Sequence, residues 1–146
     1  MENSTEKKNT EGKYNVLIVD DEASVRHLIE CLLQEMEYTT HHASNGAEAL
    51  EILKKTAVDL IILDLLLPGK HGLNVCSKIR EIDKLRNTPI LIITAVYTKS
   101  KYNYQSREYG ANAFMTKPFD NEAFIAQVSR LVETNKVQEI CLEEPE

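Results

Sequence analysis

The strongest constraint on the fold is the alternation of short apolar runs with stretches of helical periodicity. The runs are rich in β-branched residues and break off at polar residues, as buried parallel strands do. Five of them predict strands, at residues 15–19, 38–43, 59–64, 89–95 and 111–116. The second run, YTTHHA, is the least hydrophobic and alternates weakly, which predicts a strand at a sheet edge.

A helical pattern follows each predicted strand. The first helix has an apolar stripe at helical period: Val25, Leu28, Ile29, Leu32, Leu33 and Met36. The second opens at Asn45-Gly46, and the others span residues 72–82, 98–109 and 121–134. Five successive βα units predict an α/β fold, with a parallel sheet covered by helices on both faces.

Length, composition and charge limit the classes of protein that fit. A chain of 146 residues with 42% hydrophobic residues suits one globular domain. The net charge of -6 provides no basic field, so we expect no direct contact with nucleic acid. No stretch reaches the roughly 18 apolar residues of a membrane span, and the polar residues 1–13 predict a flexible tail. We therefore expect a cytoplasmic location and no membrane partner.

The three cysteines, Cys31, Cys76 and Cys141, are widely spaced and form no CxxC pair. This pattern indicates reduced thiols rather than a disulfide framework or a zinc motif. Cys31 and Cys76 fall among apolar helix positions, so we expect both to be small core residues.

Polar residues end four of the predicted strands. Asp20-Asp21 follow the first strand, Asp64 ends the third, Thr94 lies at the end of the fourth, and Lys117 follows the fifth. Each has an ordinary structural explanation: Asp21 could cap a helix, Thr94 could be a strand residue, and Lys117 could be a solvated charge. Asp64 interrupts the apolar run LIILDLLLP, where a buried carboxylate needs a partner. Because the carboxyl ends of parallel strands share one edge, the four positions predict a common site.

Four stretches, VLIVDDEASVR, LIILDLLLPGKHG, PILIITA and GANAFMTKPF, resemble the receiver domain of two-component response regulators. The resemblance runs from about Tyr14 to Val132, in the family's order and spacing. It implies a flavodoxin-like, doubly wound, five-stranded parallel sheet of order 2-1-3-4-5. It also implies a domain over residues 14–134, flanked by the tail 1–13 and an acidic tail at 135–146.

The resemblance assigns roles residue by residue. Asp64 is the phosphoacceptor and Phe114 the aromatic switch. Thr94 and Lys117 contact the phosphoryl group. Mg²⁺ is held by Asp20, Asp21, Asp64 and the backbone carbonyl of Leu66. Such oxygen donors suit Mg²⁺ chemically, and the family also implies a cis bond between Lys117 and Pro118.

Other functions are disfavoured by missing motifs. The chain has no GxGxxG and no GxxxxGK[ST] after the first strand, so a nucleotide cofactor is not expected. A flavodoxin-like electron carrier would need a phosphate-binding loop where Asp20 and Asp21 stand. A receiver-fold scaffold that works without phosphorylation remains an alternative.

The resemblance also implies partners. A sensor histidine kinase or a histidine phosphotransfer protein supplies the phosphoryl group. A downstream protein binds the fourth helix, fifth strand and fifth helix, a region with four tyrosines: Tyr97, Tyr102, Tyr104 and Tyr109. No effector motif follows Val132, so the chain resembles a stand-alone, CheY-like receiver; a receiver cut from a longer protein is the alternative.

Two dynamic properties are expected from the same resemblance. Phosphorylation should draw the Thr94 hydroxyl inward and let the Phe114 ring turn into the space it leaves. Leu66 and Val96 border the path of a hydrolytic water in the family. Neither can hydrogen-bond that water, so we expect slow self-dephosphorylation of Asp64.

Overall fold

The computed structural model describes residues 14–65, 67, 72–95 and 110–143, with side chains to residue 134. Five strands are present in this part of the chain: β1 Asn15–Val19, β2 Thr39–Ala43, β3 Leu60–Leu63, β4 Ile90–Thr94 and β5 Ala113–Thr116. All neighbouring pairs are parallel, and the order is β2-β1-β3-β4-β5. This confirms the predicted fold class and places the weakly apolar second strand at an edge.

Four α-helices are described in the same ranges: α1 Ala23–Glu35, α2 Gly46–Lys55, α3 Gly72–Arg80 and α4 Asn121–Glu143. The helix predicted over residues 98–109 lies outside the described residues, so α4 corresponds to the predicted fifth helix. In the described part of the chain, no helix is both long and apolar enough to span a membrane.

Two predicted helix ends are wrong. The third helix ends at Arg80 instead of Ile82 because the amides of Glu81 and Ile82 bond three residues back, and the 3₁₀-helix Asp83–Leu85 follows. The last helix continues beyond Thr134 to Glu143. Its extension, NKVQEICLE, contains Lys, Gln, Leu and two Glu, which favour helix, and has no glycine or proline to stop it.

Each sheet face carries its own core. Leu17 and Val19 of β1 pack in one cluster with residues of α2 and α3, whereas Val16 and Ile18 pack in another with residues of α1 and α4. Successive strand side chains point to opposite faces, so a strand covered on both sides is apolar throughout. Helices on both faces leave the ends of the strands as the place for polar groups.

The predicted buried stripe of α1 is partly wrong. Ile29 and Leu33 are buried, but Leu28 is 45% exposed. Cys31 is also exposed, whereas Cys76 of α3 is buried as predicted. Each helical residue turns the side chain by about 100°, so Cys31 lies on the side of α1 away from Ile29 and Leu33.

Candidate phosphoacceptor site

The polar residues predicted to meet at one edge of the sheet do so. Asp20 follows β1, Asp64 follows β3, Thr94 ends β4 and Lys117 follows β5. Asp20 and Asp64 are only 3% and 6% exposed, and Thr94 is fully buried. Burial of carboxylates at these positions requires compensating positive charge and hydrogen bonds.

Lys117 provides that charge. Its Nζ donates to Asp20 Oδ2 at 2.8 Å and to Asp64 Oδ2 at 3.2 Å. Burial lowers the pKa of the Lys117 ammonium, but the hydrogen bond to Asp20 and the charges of Asp64 and Asp20 outweigh it, so the pKa is raised. Lys117 therefore stays protonated at neutral pH and is the cationic partner of the buried Asp64 carboxylate.

The backbone holds these groups in register. The amide of Asp20 donates to the Ala43 carbonyl, that of Asp64 to the Val19 carbonyl, and that of Lys117 to the Thr94 carbonyl, at 2.8–3.1 Å. These bonds continue the strand ladders past the strand ends, so each functional residue has a fixed position. The Lys117–Pro118 peptide bond is cis, as predicted.

Three carboxylates at this edge can converge on one cation. Asp20, Asp21 and Asp64 each offer an oxygen, and the three oxygens lie within 4.8 Å of one another. Asp21 is exposed, which leaves an open side for water or a phosphoryl oxygen. Mg²⁺ takes a few carboxylates and keeps several waters, so this donor set fits it. Leu66, whose carbonyl was the predicted further ligand, lies outside the described residues.

Two charged residues beside Asp20 were missed in the sequence analysis. Glu22 is the N-cap residue of α1; its amide donates to Asp20 Oδ1 at 2.9 Å, and its carboxylate lies 3.8 Å from Lys117 Nζ. Arg26 donates to the Asp20 carbonyl at 2.6 Å. Their positions within DDEASVR, at the start of a helix that follows the site, were the available signal.

Gly72, in the stretch LIILDLLLPGKHG, has a structural role that was not predicted. Its amide donates to the Leu65 carbonyl at 2.7 Å, so the start of α3 lies directly against the backbone that follows β3. A Cβ at this position would lie 2.6 Å from the Leu65 Cα and would also meet the Asp64 carbonyl. Only glycine permits this close approach without a backbone shift. Gly72 thus helps to fix Asp64.

Phe114 and Thr94 lie on the same face of the sheet. Thr94 pairs with Thr116 and Phe114 with Ile92, so the two residues are diagonal neighbours on adjacent strands. Phe114 is half-buried and packs against the core cluster on the α2 and α3 side. This placement is compatible with a coupled movement of the Thr94 hydroxyl and the Phe114 ring on phosphorylation. That movement stays a prediction.

Six residues with a predicted role lie outside the residues that the structure describes. They are Leu66, Val96, Tyr97, Tyr102, Tyr104 and Tyr109.

Comparisons with known proteins agree with the fold. The profile of the response regulator receiver domain matches residues 16–129. The transcriptional regulatory protein ResD of Bacillus subtilis is 36% identical over 117 residues, covering 80% of this chain and 47% of ResD. SrrA of Staphylococcus aureus, also named a transcriptional regulatory protein, is 33% identical over 130 residues, or 89% of this chain and 52% of SrrA. The chain thus spans about half the length of these relatives.

Solved structures of receiver domains have the same fold. The chemotaxis response regulator CheY4 of Vibrio cholerae superposes with a TM-score of 0.77 at 30% identity, over 82% of this chain and 98% of CheY4. The signal receiver domain of a signal transduction histidine kinase from Syntrophus aciditrophicus superposes with a TM-score of 0.76 at 32% identity, over 83% and 91% of the two chains. The chain belongs to the family of response regulator receiver domains.

Proposed function

We propose that this chain is a phosphoacceptor switch that receives a phosphoryl group on Asp64. The observation that carries the proposal is the position of the Asp64 carboxylate: almost fully buried, 3.2 Å from Lys117 Nζ, and within 4.8 Å of carboxylate oxygens of Asp20 and Asp21. A buried carboxylate held beside a cation and an acidic pair suits nucleophilic attack better than it suits packing.

The donor would be a phosphohistidine of a sensor histidine kinase or a histidine phosphotransfer protein. An Asp64 oxygen forms a bond to phosphorus, the bond from phosphorus to the imidazole nitrogen breaks, and the imidazole takes up a proton. Lys117 offsets the negative charge on the phosphoryl oxygens, and the Thr94 hydroxyl at the adjacent strand end can donate to one of them. Mg²⁺, held by Asp20, Asp21 and Asp64, would supply further positive charge when bound.

The output would be a changed binding surface around β5 and α4. A groove of about 440 Å³ lies there, with Phe114, Phe119 and Gln127 among its lining residues. Because Phe114 lines this groove and lies diagonally from Thr94, a change at the phosphoryl group has a short route to the surface. The groove supports β5 and α4 as part of the docking face for a downstream protein.

The chain would turn over no substrate besides its own phosphoryl group, which it would accept and later hydrolyse. Its expected lack of direct nucleic-acid contact and its cytoplasmic location stay predictions. The named relatives are transcriptional regulatory proteins of about twice the matched length.

Incubation with acetyl phosphate and Mg²⁺, followed by intact-mass measurement, tests the proposal. We expect a gain of one phosphoryl group that is lost in Asp64→Asn and on removal of Mg²⁺ by EDTA. Asp83→Asn is the matched control, since Asp83 is an exposed carboxylate that pairs with Arg86 away from the site. A folded wild-type protein that gains no mass would instead favour a scaffold that works without phosphorylation.

A further inference from the structure

A second group of metal-ligand side chains lies on the outer surface of α1 and the edge strand β2. Three of them are on α1: His27, Glu30 and Cys31. The fourth is His42 of β2, which reaches Glu30 across the gap between strand and helix. None of the four touches the phosphoacceptor site in the contacts that the structure describes, and the proposed function uses none of them.

The distances within this group are those of neighbouring ligands on one ion. His27 Nε2 lies 3.7 Å from Cys31 Sγ, one helical turn along α1. Glu30 Oε1 lies 3.6 Å from His42 Nε2 and also 3.6 Å from His27 Nδ1. With metal–ligand bonds of about 2.0–2.3 Å, two ligands of a tetrahedral zinc ion are separated by about 3.3–3.6 Å. Each pair is therefore spaced like two ligands of one ion, although the pairs with Cys31 and with Glu30 use different nitrogens of His27.

We propose that His27, Glu30, Cys31 and His42 form a binding site for a transition-metal ion of the zinc class. Two imidazoles, a thiol and a carboxylate are the donors that Zn²⁺ and Co²⁺ prefer, whereas Mg²⁺ prefers oxygen donors and would select Asp20, Asp21 and Asp64. The chain thus presents two cation sites of different chemistry, one at the carboxyl edge of the sheet and one on its flank.

Closure of the site requires more than one side chain to turn, because Cys31, Glu30 and His42 also fail to bring three donor atoms within 4.8 Å of one another. Among the described residues, only the Asp20, Asp21 and Asp64 set brings three donor atoms within 4.8 Å as it stands. His27 now faces Cys31 with Nε2 and Glu30 with Nδ1, and an imidazole gives only one nitrogen to one ion. The His27 side chain is 75% exposed and Cys31 is also exposed, so rotation about their side-chain bonds meets little obstruction. Coordination would release the thiol proton of Cys31 to solvent and involve no redox step.

A bound ion would cross-link α1 to β2. The helix begins at Ala23, two residues after Asp21, and the strand ends at Ala43, whose carbonyl accepts from the Asp20 amide. The cross-link would therefore tie together two elements that hold the acidic pair.

Co²⁺ titration in saturating Mg²⁺ tests the site, because Mg²⁺ blocks the acidic cluster and a Co²⁺–thiolate bond gives its own charge-transfer absorption. The titration is made on the wild type and on single variants, with Zn²⁺ added at the end as a competitor. We expect a thiolate band that Zn²⁺ removes, that Cys31→Ser abolishes, and that needs at least tenfold more Co²⁺ in His42→Ala and His27→Ala.

Two controls decide whether the signal belongs to this site. His41→Ala removes the neighbouring histidine of β2, whose Nε2 lies 3.3 Å from Asn15 Oδ1, and should leave the titration within twofold of wild type. Cys141→Ser removes the other candidate thiol and should also leave it unchanged. The proposal is overturned if no thiolate band forms, if Cys141→Ser abolishes the band, or if His41→Ala weakens binding as much as His42→Ala.

Discussion

Lys117 Nζ lies 2.8 Å from Asp20 Oδ2, closer than the 3.2 Å that separates it from Asp64 Oδ2. The ammonium is thus anchored mainly on the Asp20 carboxylate while it also neutralises Asp64, the proposed nucleophile. One cation bridges the ends of three strands, because Asp20 follows β1, Asp64 follows β3 and Lys117 follows β5.

Lys117→Met should destabilise the protein at neutral pH by about 2–3 kcal/mol, because two buried carboxylates lose their shared cation. The pKa of Lys117 is raised above its ordinary value of 10.5, so its stabilising contribution is complete below that value and is lost as the pH rises through the folded pKa. Lys117→Arg stays charged in this window. Urea unfolding at several pH values should therefore show wild type losing stability relative to Lys117→Arg above about pH 10.5. A constant gap between the two would contradict the prediction.

Asp64→Asn should stabilise the protein by about 1 kcal/mol at low ionic strength without divalent ions. Three carboxylates lie within 4.8 Å of one another beside one lysine, so removal of a negative charge relieves repulsion. The asparagine keeps the size of the side chain and its ability to accept a hydrogen bond. Thermal unfolding measures the effect, with Asp83→Asn as the exposed control. A lower melting temperature for Asp64→Asn would show that the pairing with Lys117 outweighs the repulsion.

Mg²⁺ should raise the melting temperature of the wild type in a saturable manner. A ligand that binds only the folded state stabilises by about 2.7 kcal/mol at one hundred times its Kd. Asp21→Asn should require several-fold more Mg²⁺ for the same shift, since Asp21 supplies one of the three converging oxygens. Glu51→Gln alters an exposed carboxylate that pairs with Lys54 and should behave like the wild type. An equal Mg²⁺ response in Asp21→Asn would exclude this aspartate from the site.

The convergence of the polar residues was predictable because parallel strands present their carboxyl ends at one edge, whereas the strand order was implied only by the resemblance to receiver domains. Burial on α1 was less predictable. The apolar stripe included Leu28, yet which part of a helix is covered depends on how it sits over the sheet, a tertiary property that periodicity does not contain. Glu22 and Arg26 were missed for a related reason. Their partners, Lys117 and the Asp20 carbonyl, are brought near by the fold, and charged residues in a first helical turn are common without such contacts.

Thr94→Val should uncouple Phe114 from the state of Asp64. Valine keeps the shape of threonine but removes the hydroxyl that we expect to move towards a phosphoryl group. In protein labelled with fluorophenylalanine, the ¹⁹F resonance of Phe114 should shift on addition of beryllofluoride in wild type and stay in place in Thr94→Val. The resonance of Phe124, a fully buried residue of α4, serves as the internal control. A shift of equal size in both proteins would mean that Phe114 responds by another route.

Gly72→Ala should damage both stability and phosphoryl transfer. The added methyl group would lie 2.6 Å from the Leu65 Cα, a backbone atom that cannot move aside as a flexible side chain can. The start of α3 must shift away from the segment that follows Asp64, at a cost of about 2–4 kcal/mol in the free energy of unfolding. Asn74→Ala, at an exposed position of the same helix, is the matched control and should lie within about 0.5 kcal/mol of wild type. Urea unfolding gives the first quantity, and the rate of mass gain with acetyl phosphate, measured at a temperature where the variant is folded, gives the second. If Gly72→Ala lost stability but kept the wild-type rate, the contact would support the fold without positioning Asp64.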